Sequence, residues 1–485
     1  MALKELIEDR RNKLEAIKRM NINPYPYSYE KNISSQQLKR DYADMRAGEE
    51  DKTKTYSLAG RILSKRDFGK LIFMRLDDHK GVIQLAIRKN ENEKLFTFVK
   101  KYIDVGDIVG IRGFVFRTHK GELTIMINEL TLLSKCLRPL PEKWHGLKDI
   151  DERYRKRYVD LIVNRNVREV FIKRAEILKL TREFFNELDF LEVEIPILQP
   201  IYGGAFAKPF TTYSNAWKKE YYLSISPELY LKKLLVGGFE RVYTITKAFR
   251  NEDVDTTHNP EFTTLEAYAA YWDYNKMMDV IERLFKQIAD RFSENGIVVF
   301  DSNEIDFNKP FKRISVSDCL KSEGISEDIS DKELKKLLKE NEIELPSFDR
   351  GLAFTELFEK LCEHKFINPT FAIDYYKEST PLCKLHRKNE RFVERFELFI
   401  NGIEFANAYS ELNDPVIQKE FFEKQLELRK QRGEYQPYDE SFIEALEYGM
   451  PPASGVGIGV DRLIMLFTNS TSIKDVILFP QMKEK

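Results

Sequence analysis

Between residues 57 and 127 the chain repeats one pattern five times, a short run rich in Val, Ile, Leu and Phe followed by a turn. The runs are SLAGRIL (57–63), LIFMRL (71–76), VIQLAI (82–87), DIVGIRGFVF (107–116) and ELTIMI (122–127), with DDHKG and THKG among the turns. Segments of this length and composition form strands. One segment departs from the pattern: EKLFTFVKKY, between the third and fourth runs, has helical apolar spacing. Five strands with one helix at that place predict a small β-barrel over residues 55–133.

The rest of the chain is arranged around that barrel. SKCLRPLPEKWHG (134–146) carries two prolines and no periodicity, which predicts a linker. Upstream, residues 1–54 read as a surface helix, with Leu3, Leu6, Ile7, Leu14 and Ile17 at helical spacing, and a polar lead-in. Downstream, the domain 147–485 opens on an amphipathic helix (167–189) with Val167, Val170, Phe171, Ile177, Leu178 and Phe185 as its apolar positions, followed by a strand-like LEVEIPIL. YYLSIS, RVYTIT, RFELFI and GVGIGV add strands among helices, so this domain is expected to be α+β on a largely antiparallel sheet. A charged helical insertion is expected at about 275–345, where DKELKKLLKE reads as a solvated helix face.

Composition narrows the function. Lys+Arg is 78 against Asp+Glu 79, so a nucleic-acid partner must be held by local patches. The first twenty residues are charged throughout, unlike a signal peptide, and no run of about 18 apolar residues occurs, so no membrane span and a cytoplasmic location are expected. Cys136, Cys319, Cys362 and Cys383 form no CxxC pair, which argues against a zinc site or a disulfide framework.

Four segments carry unusual chemistry. In PILQPIYGGAF (196–206), Gly203 and Gly204 let backbone approach a ligand. FRNEDVDTTHNPEFTTLEAYAAY (249–271) packs Arg250, Glu252, His258, Phe262, Glu266 and Tyr268 among small residues; arginine can bridge carboxylate and phosphate, and phenylalanine can stack on a base. In RFELFINGIEFANAYSELNDP (395–415), Glu397 and Glu404 are seven apart across an NG hairpin turn, which would bring two carboxylates to neighbouring strands and suit Mg²⁺. In PPASGVGIGVDRLIMLF (451–467), Gly455, Gly457 and Gly459 alternate along a strand ahead of Arg462, leaving room for a flat nucleotide. Each segment alone also fits a plain turn, loop or hairpin.

Together they resemble, in order, the three signature motifs of class II aminoacyl-tRNA synthetases: the proline-ended helix and strand, FRNEDVDTTHNPEF and GVGIGVDR. The preceding barrel, then of the oligonucleotide-binding (OB) type, is similar to that of the subgroup for aspartate, asparagine and lysine. SPELYLKKLLVGGFERVY, HNPEFTTLEAY, NAYSELNDP and LFTNSTSIKDVILFP resemble the lysyl-tRNA synthetase family. The resemblance implies ATP-dependent activation of L-lysine and its transfer to tRNA(Lys), by a homodimer, with Mg²⁺ accompanying ATP as up to three ions. It implies Arg250 and Arg462 as the catalytic cations. Lysine would be held by Gly204 and Glu228 at the α-amino group, Arg250 and Asn407 at the carboxylate, and Glu266, Tyr268 and Glu411 at the ε-ammonium, with Tyr409 also lining its site. ATP would meet Arg250, Glu252, His258, Phe262, Glu397, Gly457, Gly459 and Arg462, and Mg²⁺ would meet Glu397 and Glu404. Anticodon bases would meet Phe73, Gln84, Glu122 and Lys65. Lys65 stands where some members have arginine, and Thr257 where many bacterial members do. An enzyme for aspartate or asparagine would share Arg250, Phe262, Glu397, Glu404 and Arg462.

Overall fold

The computed structural model describes residues 3–141, 147, 149–345, 347–431 and 438–484. It divides into two compact units, Met1–Lys148 and Asp149–Lys485. Most of the linker expected at 134–146 has described backbone only up to residue 141.

In the first unit, strands Glu50–Asp67, Leu71–Asp77, Val82–Arg88, Ile108–Arg117 and Leu123–Ser134 close into a barrel, and helix Glu93–Tyr102 lies between the third and fourth. Ile62, Ile72, Met74, Leu76, Ile83, Leu85 and Ile125 fill the interior with no exposed surface to speak of. The first strand begins at Glu50, ahead of the expected residue 55, because Glu50 and Asp51 pair with Phe116 and Val115. EDKTK has no apolar alternation, so nothing local announced that extension.

The second unit is built on one eight-stranded sheet. Its order from one edge is Lys312–Ser315, Thr370–Ile373, Arg395–Ile400, Ile403–Ser410, Ala453–Gly459, Glu261–Ala270, Arg241–Phe249 and Leu191–Glu192. Neighbours run antiparallel except for the parallel pair at each edge. Strand alternation sorts the side chains. Leu265, Ala267, Phe396, Leu398, Ala406, Ala408, Val456 and Ile458 join one apolar core with helices Arg165–Glu187, Tyr274–Phe292 and Val460–Thr468. The opposite face is left for chemistry.

The region expected as a helical insertion is less separate than its charge suggests. Helix Tyr274–Phe292 buries Met277, Met278, Ile281, Leu284, Phe285 and Ile288 in the main core. A hairpin, Ile297–Phe300 with Asn303–Asp306, and the sheet-edge strand Lys312–Ser315 follow it. Helix Asp331–Glu340 has the solvated face expected, with Leu334 and Leu338 turned inward.

Candidate active site

Two rungs of the sheet set the site. Across one, Glu397 pairs with Asn407, Asn407 with Gly457, and Gly457 with Glu266. Across the next, Arg395 pairs with Tyr409, Tyr409 with Gly455, and Gly455 with Tyr268. Alternation puts all of these on the face away from the core, and they line a cavity of about 750 Å³. The loop after Arg241–Phe249 adds Arg250, Glu252 and His258; Gly204, Glu228 and Phe262 complete the wall, with Glu404 and Arg462. Fifteen of the sixteen residues expected to meet lysine, ATP or Mg²⁺ therefore line one space, and Glu411 is the exception.

Glu411 is wholly buried, and Nζ of Lys232 lies 2.5 Å from its Oε2. Its direct assignment to a ligand's ammonium is corrected on that ground: it stands behind the wall, with a lysine of the chain as its neighbour. Lys232 also donates to Glu228 Oε1 at 2.6 Å, which accepts a second bond of 2.6 Å from the Tyr409 hydroxyl. Glu266 accepts from Ser226 Oγ and from the Tyr268 hydroxyl, both at 3.0 Å. Burial, reinforced by nearby Glu228, pushes the Glu266 carboxyl up to about 8. Burial likewise takes Glu411 up to about 8 although Lys232 pulls it down. Neither oxygen of Glu411 has a hydrogen-bond donor in good geometry. This end of the cavity is thus an over-acidic, desolvated pocket.

The middle of the cavity offers donors. Arg250 lies over the Phe262 ring at 5.1 Å, and its buried Nε has no acceptor. Asn407 accepts from Arg395 Nε through Oδ1 at 3.2 Å, so its amide nitrogen remains a donor for a ligand. At the other end Arg462 donates to the Glu404 carbonyl at 2.7 Å and carboxylate at 3.2 Å. His258 Nε2 is 3.1 Å from Arg462, while its Nδ1 is 2.8 Å from Asp255. An arginine can only donate, so His258 must accept through Nε2 and carry its proton on Nδ1. Burial opposes ionisation of Asp255, but hydrogen bonds from His258 and Thr257 outweigh it and hold this carboxyl at about 2.

The two carboxylates read as metal ligands do not sit directly opposite one another. The NG turn forms, with Asn401 and Gly402 both at positive φ (53° and 70°). Next to the turn Phe399 faces Glu404, and a bulge between Leu398 and Phe399 then shifts the register so that Glu397 faces Asn407. Glu397 accepts from the Tyr375 hydroxyl at 2.7 Å and pairs with Arg395. Among the described residues no three His, Cys, Asp or Glu side chains cluster tightly enough to hold a metal unaided. A hard cation here would need phosphate oxygens for its remaining ligands, which is how Mg²⁺ is commonly bound.

The glycines of the last strand serve two ends. A Cβ on Gly455 would come within 2.2 Å of Tyr268 and 2.3 Å of Glu411, so its space is taken by side chains and not by a nucleotide, a correction to the expectation above. Beside Gly457 and Gly459 the nearest atoms are at 3.7 Å and 3.6 Å, which leaves open wall.

On the barrel the expected residues divide. Phe73, Ala86, Met126 and Phe114 form one rung, and Arg75, Gln84, Thr124 and Phe116 the next. Half-buried Phe73 packs on the outward cluster of Ala86, Phe114, Phe116 and Met126. Gln84 donates to Thr124 at 3.0 Å, and Glu122 is exposed beside it. Lys65 is used elsewhere: Nζ donates to the carbonyls of Val99, Lys100 and Ile103 at 2.7–2.9 Å, closing the end of helix Glu93–Tyr102. Burial lowers its pKa to about 8. Its expected role as a base contact is corrected accordingly.

A family model described as tRNA synthetases class II (D, K and N) matches residues 149–483, and one described as an OB-fold nucleic acid binding domain matches residues 56–133. The chain belongs to the class II tRNA synthetases of this D, K and N group. Its relatives point to one member of the group. A protein of Clostridium novyi (strain NT) named lysine–tRNA ligase is 48% identical across 99% of this chain and 94% of its own length. Lysine–tRNA ligase 2 of Methanosarcina mazei is 47% identical across 98% and 93%, and the lysine–tRNA ligase of Thermosipho africanus 46% across 99% and 96%. Among the described residues no helix is long and apolar enough to cross a membrane.

Proposed function

We propose that this protein activates L-lysine with ATP, releasing pyrophosphate, and passes lysine to the 3′-terminal adenosine of tRNA(Lys). The observation that carries the choice of amino acid is the acidic end of the cavity. Glu228, Glu266 and Glu411 are all less than a tenth exposed, and the one cation among them, Lys232, is already shared by two of them. A further ammonium relieves that excess of charge. An aspartate side chain would add to it.

The geometry supports a division of labour. Glu228 and the backbone at Gly204 would hold the α-amino group, and Glu266 with Tyr268 the ε-ammonium. Arg250 and the Asn407 amide would aim the lysine carboxylate at the α-phosphorus for in-line attack, with Arg250 also neutralising charge on that phosphate. Phe262 supports the adenine, and Gly457 and Gly459 leave room beside it. Arg462, His258 and Glu252 would meet the leaving phosphates. Glu397 and Glu404 would hold Mg²⁺, up to three ions with ATP, which when bound neutralises the phosphates. Phe73, Gln84 and Glu122 would read splayed anticodon bases by stacking and edge hydrogen bonds. The reading extends to a homodimer, supported by exposed Leu191, Ile197 and Leu198 beside the first motif, and to the cytoplasm. Amino-acid-dependent ATP–pyrophosphate exchange with each of the twenty amino acids tests it: lysine alone should support rapid exchange, and a preference for aspartate or asparagine would reject it.

A further inference from the structure

We infer that Lys232 is a permanent counter-ion of the lysine pocket and a specificity-determining residue. As one ammonium set among Glu228, Glu266 and Glu411, it leaves the three carboxyl groups short of cations by the number that one lysine molecule carries. The inference rests on the lysine-activation reading above and adds a residue to it.

Lys232 follows Glu228 by four residues on helix Glu228–Val236, so both side chains lie on one helix face. Its side chain is wholly buried, with Nζ 2.6 Å from Glu228, 2.5 Å from Glu411, and 5.4 Å from the centre of the Tyr409 ring. A desolvated ammonium is costly unless paired, and pairing on two sides is what is found. Burial works against its charge, but the two carboxylates outweigh burial and raise its pKa above that of a free lysine. Both carboxylates lie within hydrogen-bond distance of one point. Without a cation there, like charges so close in a dry site could not both ionise, and a proton would take the place of the ammonium.

The titratable groups facing this space come from several elements: Glu228 on the helix, Glu266 and Tyr268 on Glu261–Ala270, Tyr409 and Glu411 at the end of Ile403–Ser410, and Cys383. Burial pushes the two tyrosines and the thiol well up, so they stay neutral. Three carboxyl groups then face one fixed ammonium, with Arg250, which acts on Glu266, left to the ligand's own carboxylate. The shortfall equals the α-ammonium and ε-ammonium of a lysine molecule. An amino acid of similar shape with a neutral side chain, such as norleucine, leaves one buried carboxylate uncompensated. If a proton replaced Lys232, protons could serve that purpose for any ligand, and the advantage of the second ammonium would shrink.

Lys232→Met, Glu411→Gln and the double variant, all in the full chain, test this by pyrophosphate exchange with lysine and norleucine. Lys232→Met should raise the KM for lysine about 100-fold, leave the KM for ATP within about twofold, and narrow the preference for lysine over norleucine. Should that variant fail to fold, the double variant keeps the question open to measurement. It removes one carboxylate together with the ammonium and restores the parent's shortfall, so it should activate lysine better than Glu411→Gln alone. A double variant poorer than Glu411→Gln overturns the proposal. So does a KM for lysine that Lys232→Met leaves within about threefold of the parent, or one that rises in step with the KM for ATP. A parent that activates another amino acid sinks both readings; a lysine-specific parent with indifferent variants sinks only this one.

Discussion

The two ends of the cavity are built on opposite plans. At the acidic end, Glu228, Lys232, Glu266 and Glu411 are under a tenth exposed and held by contacts of 2.5–3.0 Å within the fold. At the far end the side chains of His258 and Glu404 are 58% and 40% exposed, and Arg462 links them. A rigid, dry end can discriminate by charge, because a mismatched group finds neither water nor room to relax. An open end cannot, but it can exchange partners: in the role proposed for it, Arg462 would loosen from Glu404 and His258 to meet a phosphate. On the proposed reading, choice of amino acid belongs to the folded chain, and grip on the nucleotide develops on binding.

Arg250 stands between the two ends and offers the sharpest way to break the contrast. Arg250→Ala should lower exchange by about 10³-fold or more, since it removes charge from both the carboxylate and the α-phosphate. If only the KM for ATP rose, Arg250 would belong to the open end alone. The next largest effect falls on the closed end. Glu266→Gln keeps the shape but has one acceptor oxygen in place of two and cannot ionise, and it should raise the KM for lysine about 30- to 100-fold with little change for ATP. Equal changes for both substrates would mean that the two ends are coupled.

How far the sequence announces this arrangement differs between the same two ends. Period-two alternation in EFTTLEAY made Phe262, Glu266 and Tyr268 legible as one face of a strand. The Asn-Gly pair announced the hairpin that sets Glu397 and Glu404 on neighbouring strands, but the bulge at Leu398 and Phe399 that pairs Glu397 with Asn407 has no local signature. Lys232 was missed altogether. A lysine in SPELYLKKLLV reads as a snorkelling surface residue, and its burial depends on Glu411, which lies 179 positions along the chain. Lys65 shows the converse: a cation on a barrel strand, expected to meet a base, closes a helix end. Charges are the hardest residues to place from sequence, because their partners decide their burial.

The barrel sharpens the comparison from outside the cavity. Phe73 packs on an outward cluster with Phe114 and Phe116, over which Lys52 and Arg88 lie at 5.3 Å and 5.7 Å. Phe73→Ala should cost tRNA aminoacylation about 1–3 kcal/mol of base stacking and leave lysine-dependent exchange close to the parent. Loss of both activities, with a lowered Tm, would make Phe73 a packing residue only.

The smallest expected effect is a pH dependence that separates the two ends without mutation. Burial first, and the neighbouring Glu228 second, raise Glu266 from an ordinary 4.5 to about 8. The folded, ligand-free protein therefore holds a proton that the unfolded chain has lost. The stability that this proton confers is complete below about pH 4.5 and disappears as the pH rises through about 8. An ammonium bound beside Glu266 reverses the balance, because it favours the ionised carboxylate. Lysine should thus protect the protein from thermal unfolding more at about pH 8.5 than at about pH 6, by a few degrees of Tm, until its own ammonium titrates near pH 10. ATP, bound at the open end, should protect almost equally at both pH values. Glu266→Gln should abolish the difference for lysine. A lysine shift that is larger at the lower pH would place the bound ammonium away from Glu266, and the closed end would then lose its claim to the choice of amino acid.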